Sequence, residues 1–342
     1  MSTLQVGIIG AGRIGRLHAA SLMTRVPGAT VRTLADPVLE GVREFADGLG
    51  IPRVTPDPAE ILGDPAIDAV LICSPTPTHA DLSMAAARAG KHIFCEKPVD
   101  LSIPKILETI RVVRDSGVRM QVGFNRRFDH NFARLRDLVR QGDLGDIHMV
   151  RITSRDPGPP PLTYIRQSGG LFLDMTIHDF DMAGFLAGSR VEEVSAFAAV
   201  LVDPAIGEAG DVDTAVIALR FANGALGVIE NSRRAAYGYD QRAEVLGSRG
   251  AAASGNDTPS TVRVSTADGV LSDKPLYFFL ERYMESFVEE MRQFVAAVRN
   301  GTEPPVTVED ALEPVRIAEA ARLSRMERRV VRMEEIPGQA PG

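Results

Sequence analysis

The chain has 342 residues, enough for about two domains at ~150 residues each and for sizeable cores. Its apolar content of 44% and charged content of 24% are ordinary for a globular protein. The net charge of −7 argues against a nucleic-acid partner, which asks for a basic stripe, and no run approaches the ~18 apolar residues of a membrane-spanning helix. The first five residues lack a basic leader and run straight into a strand pattern, so no signal peptide is expected. The two cysteines, Cys73 and Cys95, each sit in an apolar run, which excludes a disulfide framework and predicts a reducing, cytoplasmic setting.

The first ~125 residues alternate strand and helix patterns. Val6-Gly7-Ile8-Ile9 is a short strand, followed by glycines and a helix from Arg13 to about Thr24. Ala29–Ala35, Ala69–Cys73, His92–Cys95 and Arg119–Val122 read as further strands, with helices over Ala80–Ala89 and Pro104–Ser116, the second stopped by Gly117. Strands alternating with helices imply right-handed crossovers and a parallel sheet.

Beyond Gly123 the pattern changes. A strand over His148–Ser154 leads into the proline-rich Asp156-Pro157-Gly158-Pro159-Pro160-Pro161, and a helix is predicted from Gly170 to Leu186. Strands then follow in series over Val194–Leu201, Thr214–Phe221, Ala225–Asn231, Gln241–Leu246 and Thr261–Ser265. Asn223-Gly224 predicts a type I′ hairpin between two of them. Two late helices, Phe278–Arg299 and Val308–Arg325, flank Pro304-Pro305. The fold class expected is an α/β Rossmann domain over residues 1–124 and an α+β domain over 125–336 with a large, mainly antiparallel open sheet; residues 337–342 read as a disordered tail.

Gly10-Ala11-Gly12-Arg13-Ile14-Gly15 fits G-x-G-x-x-G, and its position between the first strand and the first helix gives the pattern weight. Gly10 permits the tight turn, Gly12 lets the backbone approach a pyrophosphate, and Gly15 lets helix pack on strand, while the helix N-terminus attracts phosphate. Asp36 ends the second strand 21 positions after Gly15, placed to accept hydrogen bonds from ribose hydroxyls and to repel a 2′-phosphate. Pro37 and Val38 offer no arginine for that phosphate, so NAD is expected over NADP; Arg43 reads as a solvated helix charge. Asp174 and His178 stand four apart on the predicted helix and so share a face, with Asp181 a turn further on. Alone, the pair fits a helix-surface hydrogen bond, an acid–base pair or two metal ligands. The third and fourth ligands that zinc wants are missing, so no metal is expected.

Cys95-Glu96-Lys97-Pro98 closes a buried strand, where an isolated lysine would be read as a surface residue. This string resembles the Glu-Lys-Pro signature of the glucose–fructose oxidoreductase/inositol dehydrogenase (Gfo/Idh/MocA) family. So do Ser74-Pro75-Thr76-Pro77-Thr78-His79, Gly123-Phe124-Asn125-Arg126-Arg127-Phe128 and Gly169-Gly170-Leu171-Phe172-Leu173-Asp174-Met175-Thr176-Ile177-His178-Asp179, in the same order over nearly the full chain. Ser154-Arg155-Asp156-Pro157 and Tyr237-Gly238-Tyr239-Asp240 resemble its inositol dehydrogenase branch.

The resemblance implies that Lys97, Asp174 and His178 are catalytic. His178 would take the hydroxyl proton as a hydride leaves for NAD, Asp174 would fix its ring, and Lys97 would stabilise the developing alkoxide. It adds Ser74, Thr76, His79 and Glu96 to a cofactor site that includes Gly10, Gly12, Arg13, Ile14, Gly15 and Asp36. Asn125, Arg126, Asp156, Tyr237 and Tyr239 join the catalytic residues around a polyol substrate. Asp156 departs from the asparagine that some inositol dehydrogenases carry, which leaves the stereoisomer open. Arg127 is expected to be structural, and His18, His92, His130 and His148 have no assigned chemistry. Pro98 matches the family's cis-proline. The expected reaction is oxidation of a cyclitol ring hydroxyl, myo-inositol foremost, with scyllo-inositol, an aldose or an anhydrosugar as alternatives. Some family members are dinucleotide-sensing regulators, but this chain keeps both the lysine and the histidine. The open sheet needs cover on its exposed face, which predicts a homo-oligomer, a tetramer by resemblance.

Overall fold

A computed structural model describes residues 3–338 of the chain. Among the described residues the fold divides into two units, the first running to Asn125 and resuming over Glu285–Glu313, the second formed by Arg126–Met284 and residues 314–338.

The first unit holds six parallel strands: β1 (Leu4–Ile9), β2 (Ala29–Ala35), β3 (Arg53–Thr55), β4 (Ala69–Ile72), β5 (His92–Cys95) and β6 (Met120–Val122). Their order is β3-β2-β1-β4-β5-β6, so the winding reverses between β1 and β4. Helices on its faces explain the sequence pattern. A strand covered on both sides reads as a continuous apolar run, and every residue of Ala69–Ile72 is fully buried. The helix Arg13–Thr24 follows β1, and Ile103–Ser116 ends where Gly117 turns left-handed at φ 71°. The short β3 lacks an apolar run of its own and was not legible in the sequence.

The helix Met284–Asn300 belongs to this first unit, whereas the sequence pattern placed all of 125–336 in the second domain. Val288, Met291, Phe294 and Val295 line one side of it and pack into the same core as Val6, Leu22, Leu34 and Phe94. Helical periodicity announces a buried face but not which sheet it will cover.

The second unit is built on β7 (Ile147–Arg155), β8 (Val191–Ala199), β9 (Thr214–Phe221), β10 (Leu226–Ser232), β11 (Asp240–Gly247) and β12 (Gly250–Ser254). Strands β13 (Arg263–Thr266) and β14 (Gly269–Ser272) form a separate exposed hairpin, so the predicted strand near 261–265 does not join the main sheet. A last short strand, β15 (Val331–Arg332), completes the order β12-β11-β7-β10-β9-β8-β15. All neighbours pair antiparallel except β7 and β10, which run parallel. Along β9, Ala215, Ile217, Leu219 and Phe221 are buried while Val216, Ala218 and Arg220 are exposed, as a sheet covered on one face requires. The helix Ile177–Ala187 packs against β7. Phe197, Val216, Leu226 and Leu246 are left exposed on the sheet.

The hairpin at Asn223-Gly224 joins β9 to β10, with a different turn from the one predicted. Only Gly224 has positive φ (87°); its N–H bonds the Phe221 carbonyl at 2.9 Å, and Phe221 N–H bonds the Ala225 carbonyl at 2.9 Å. One left-handed glycine after a right-handed turn gives the longer, bulged hairpin rather than type I′. Among the described residues, no helix is long and apolar enough to cross a membrane.

Candidate active site

In the first unit the glycine fingerprint has the geometry its chemistry needs. Gly10 sits at φ 97°, and a Cβ there would fall 2.5 Å from the Ser74 nitrogen. A Cβ on Gly15 would fall 1.9 Å from the Gly10 carbonyl oxygen, so helix and turn touch backbone to backbone. Gly12 differs: a Cβ there meets nothing within 4 Å. Steric contact with the protein therefore explains Gly10 and Gly15, whereas Gly12 faces the space a pyrophosphate needs. Gly12 also N-caps the helix Arg13–Thr24 without a side-chain cap, and no acidic residue occupies the first turn. The helix end stays electropositive and suited to phosphate. Arg13 is exposed at that end, while Ile14 packs against the core.

Asp36 accepts hydrogen bonds from the Ala11 N–H at 2.8 Å and the Val38 N–H at 2.9 Å, which ties the end of β2 to the fingerprint loop. A carboxylate has about four acceptor sites, so capacity remains for ribose hydroxyls. Open space at Gly12, an uncapped helix end and a positioned carboxylate together fit NAD.

After β4 the chain forms a short turn, with Thr76 half-buried and the Ser74 hydroxyl 2.6 Å from that of Thr78. His79 is buried and braces this turn against the segment after β5: Nδ1 lies 2.8 Å from the Pro98 carbonyl oxygen and Nε2 2.6 Å from that of Ser74. A carbonyl only accepts, so both nitrogens donate and the ring is an imidazolium. Burial opposes that charge, but the Cys95 sulfur and the two carbonyls outweigh it and push the pKa up to about 9. His79 is thus a brace for the Glu96-Lys97-Pro98 segment. The Lys97–Pro98 bond is cis, as the resemblance implied. Lys97 is half-buried, and Glu96 is held by His18, whose Nε2 lies 2.8 Å from its Oε1. No role for His18 is legible in the sequence, because its partner lies 78 residues away.

In the second unit, Asp174 and His178 do not lie on one continuous helix. Asp174 ends the helix Gly170–Asp174, and His178 is the second residue of Ile177–Ala187. Met175 and Thr176 both donate backbone N–H bonds to the Leu171 carbonyl, and His178 N–H then reaches Met175 rather than Asp174. The hydroxyl of Thr176 also bonds Asn231 Oδ1 at 2.8 Å, pinning the break to β10. Spacing in sequence implied a shared face only for an unbroken helix.

The partners of Asp174 were not anticipated. Tyr164 Oη donates to its Oδ1 at 2.9 Å, and Arg233 Nη1 stands 3.0 Å from its Oδ2. The same Nη1 lies 3.5 Å from Asp156 Oδ2, so one guanidinium joins two predicted site carboxylates. Burial pushes the Asp156 carboxyl up to about 6; Arg233 pulls it down and Asp174 pushes it further up. Arg233 directly follows β10, and the only sequence signal for it was that two predicted carboxylates needed a counter-ion.

The other candidates separate. Arg126 is buried and pairs with Asp179 at 2.5 Å, and Asn231 Nδ2 reaches the other Asp179 oxygen at 2.7 Å. That makes Arg126 part of the internal frame. Arg127 pairs with Asp181 at 2.5 Å, in line with its structural reading. Tyr239 is buried, its ring 6.0 Å from Tyr283 and 6.1 Å from Phe278, and Asp156 adds to the upward push on its hydroxyl. Tyr237 is pointed elsewhere: its hydroxyl donates to Asp240 at 2.6 Å and accepts from Arg155 at 2.7 Å. Asn125, in the first unit, lies 3.4 Å from the Ser286 hydroxyl. Among the described residues, Asp129, His130 and Asp257 could group around an ion, but Arg282 already contacts Asp129 at 2.5 Å and Asp257 at 3.0 Å.

Two predictions follow from the first unit. Gly12→Ala should keep wild-type stability and lose about tenfold or more in NAD affinity. Gly15→Ala should lose about 1–3 kcal/mol of stability through overpacking; equal unfolding midpoints for the two variants would contradict this. The folded pKa of His79, about 9, lies above the ordinary 6.5, so its stabilisation is complete below pH 6.5 and fades as pH rises through about 9. The melting-temperature gap between wild type and His79→Gln should therefore narrow across that window, and a constant gap would refute the charged brace.

The description "Oxidoreductase family, NAD-binding Rossmann fold" matches residues 4–124, and the GFO/IDH/MocA C-terminal domain matches residues 132–253. The chain is 49% identical over 335 residues to myo-inositol 2-dehydrogenase of Thermotoga maritima, covering 98% of this chain and 100% of the relative. It is 46% identical over 330 residues to inositol 2-dehydrogenase of Rhizobium meliloti, covering 96% and 99%. The structure of scyllo-inositol dehydrogenase from Lactobacillus casei with bound NAD(H) and scyllo-inositol aligns at a TM-score of 0.91 and 30% identity, covering 97% of this chain and 100% of that one. With a model matched in each half and nearly its full length aligned, the chain belongs to the Gfo/Idh/MocA family of NAD-binding oxidoreductases.

Proposed function

We propose that this enzyme oxidises a ring hydroxyl of a cyclitol to the ketone, with myo-inositol the foremost substrate and 2-keto-myo-inositol the product. The observation that carries the reading is the polar cluster of the second unit, where two carboxylates share one guanidinium and one of them also takes a tyrosine hydroxyl. A polyol ring offers hydroxyls on every side, and such a cluster of fixed acceptors suits it. The inositol dehydrogenases among the relatives support the same substrate class.

The nicotinamide of bound NAD supplies the hydride acceptor. The chain's own residues handle the proton and the charge. His178, as a neutral imidazole, takes the hydroxyl proton, and Asp174 stabilises the imidazolium that results. The Lys97 ammonium stabilises negative charge growing on the substrate oxygen. Asp36, with no arginine at Pro37 or Val38, disfavours a 2′-phosphate and so selects NAD over NADP.

The decisive assay follows reduced cofactor with NAD or NADP against myo-inositol, scyllo-inositol, D-chiro-inositol, glucose and levoglucosan. Fast reduction of NAD by an inositol is expected. Silence with the inositols and turnover of glucose or levoglucosan would overturn the substrate, and silence throughout with NAD still bound would favour a sensor. Lys97→Met should cut kcat by roughly 10²–10⁴ with the fold intact, and an unchanged rate would remove the mechanism.

We further propose a cytoplasmic homotetramer assembled through the outer face of the seven-stranded sheet. Leu246, Met149 and Leu226 align across three neighbouring strands, and Phe197 pairs with Val216. Phe197 is 77% exposed in the single chain, a position that favours cover by another copy. The two buried free cysteines suit a reducing compartment. Light scattering should give four times the chain mass, and Phe197→Glu should lower it; a wild-type monomer would refute the assembly.

A further inference from the structure

We propose that Arg233 is a positioning residue of the reaction: its guanidinium orients the Asp174 carboxylate and offsets the charge that neighbouring Asp156 would otherwise impose on it. The inference rests on the cyclitol dehydrogenase reading above.

Three segments converge on this guanidinium. Arg233 comes from the turn after β10, Asp156 from the end of β7, and Asp174 from the end of the helix Gly170–Asp174. The backbone fixes two of them together: Asp156 N–H bonds the Ser232 carbonyl at 2.9 Å, and Ala235 N–H bonds the Asp156 carbonyl at 2.7 Å. Arg233 N–H is itself anchored on the Asp213 carbonyl at 2.8 Å. The Arg233 side chain is only 3% exposed, against 16% for Asp156 and 11% for Asp174.

The balance of charge in this enclosure is two carboxylates to one guanidinium. Asp211 adds a further negative field on Arg233, although its carboxylate is engaged by the Leu171 N–H at 3.0 and 3.1 Å. Arg126 lends a weaker positive field to Asp156. Among the described residues, Arg233 Nε and Nη2 are buried without a hydrogen-bond acceptor. Both acid contacts of Arg233 therefore run through Nη1. The raised pKa of Asp156 agrees: burial and Asp174 hold it close to protonation even with Arg233 in place. Without Arg233 the two acids would lose the guanidinium that both contact and be left as neighbouring like charges, and Asp174 would lose the partner that orients it.

The test is a double-mutant cycle on the full-length enzyme. Arg233→Met should lower kcat on myo-inositol by roughly 10–10³-fold, with a smaller change in KM and unchanged NAD binding. Adding Asp156→Asn removes the competing acid, so Asp156→Asn/Arg233→Met should recover about tenfold or more of the lost kcat. Arg233→Lys, which keeps the charge, should fall between wild type and Arg233→Met. Additive losses in the double variant, or wild-type kcat in Arg233→Met, would overturn the proposal. The same cycle read by melting temperature needs no turnover: Asp156→Asn should relieve a destabilisation caused by Arg233→Met, and additivity there again counts against the clamp. Should Arg233→Met not fold, Arg233→Lys with and without Asp156→Asn supplies the cycle. Wild-type enzyme that oxidises no cyclitol would sink the functional reading, while the melting cycle still decides the clamp.

Discussion

The first unit is organised around the contact between the Gly15 backbone and the Gly10 carbonyl. No side chain fits there, since a Cβ would lie 1.9 Å from that oxygen. The contact draws the helix Arg13–Thr24 onto the end of β1, so that its N-terminus opens where the sheet order reverses. From that one approach follow the direction of the helix dipole, the opening in front of Gly12 and the reach of Asp36 to the Ala11 N–H. An acceptor for ribose and a donor set for phosphate are thereby fixed by backbone geometry rather than by flexible side chains.

The second unit solves a different problem. It buries several charges against a sheet, and each needs a partner to avoid a desolvation cost of several kcal/mol. Arg126 is matched to Asp179, Arg127 to Asp181, and Arg282 to Asp129. Asn231 links Asp179 to Thr176, so the frame reaches the kink between Asp174 and His178. Arg282 also contacts Asp257, and Arg233 likewise faces two acids, both of them predicted site residues.

The parallel strands, the fingerprint and the order of the serial strands were legible because each leaves a local signal: an apolar run, a glycine spacing, an alternation. The kink after Asp174 was not, since it arises when Thr176 bonds a residue on another strand. Pairing of His18 with Glu96 was hidden for the same reason, and so was the role of Arg233, which depends on acids 59 and 77 residues earlier in the chain. The resemblance implied a place for Arg126 at the substrate, but sequence could not show that Asp179 engages its charge. The turn at Asn223-Gly224 is a milder case: the hairpin was evident, while the positive φ was confined to the glycine.

The return of Glu285–Glu313 to the first unit has a bearing on biosynthesis. Val288, Met291, Phe294 and Val295 supply part of the core beneath a sheet whose last strand, β6, ends at Val122. A nascent chain that has released all six strands still lacks the helix that seals them, and must translate the intervening residues 126–284, with β7 to β14, before that apolar surface is covered. The dinucleotide half is therefore completed only after the larger part of the other unit, Arg126–Met284, has emerged. A chain cut between residues 123 and 284 would carry the whole glycine fingerprint and all six strands on a scaffold with an open core.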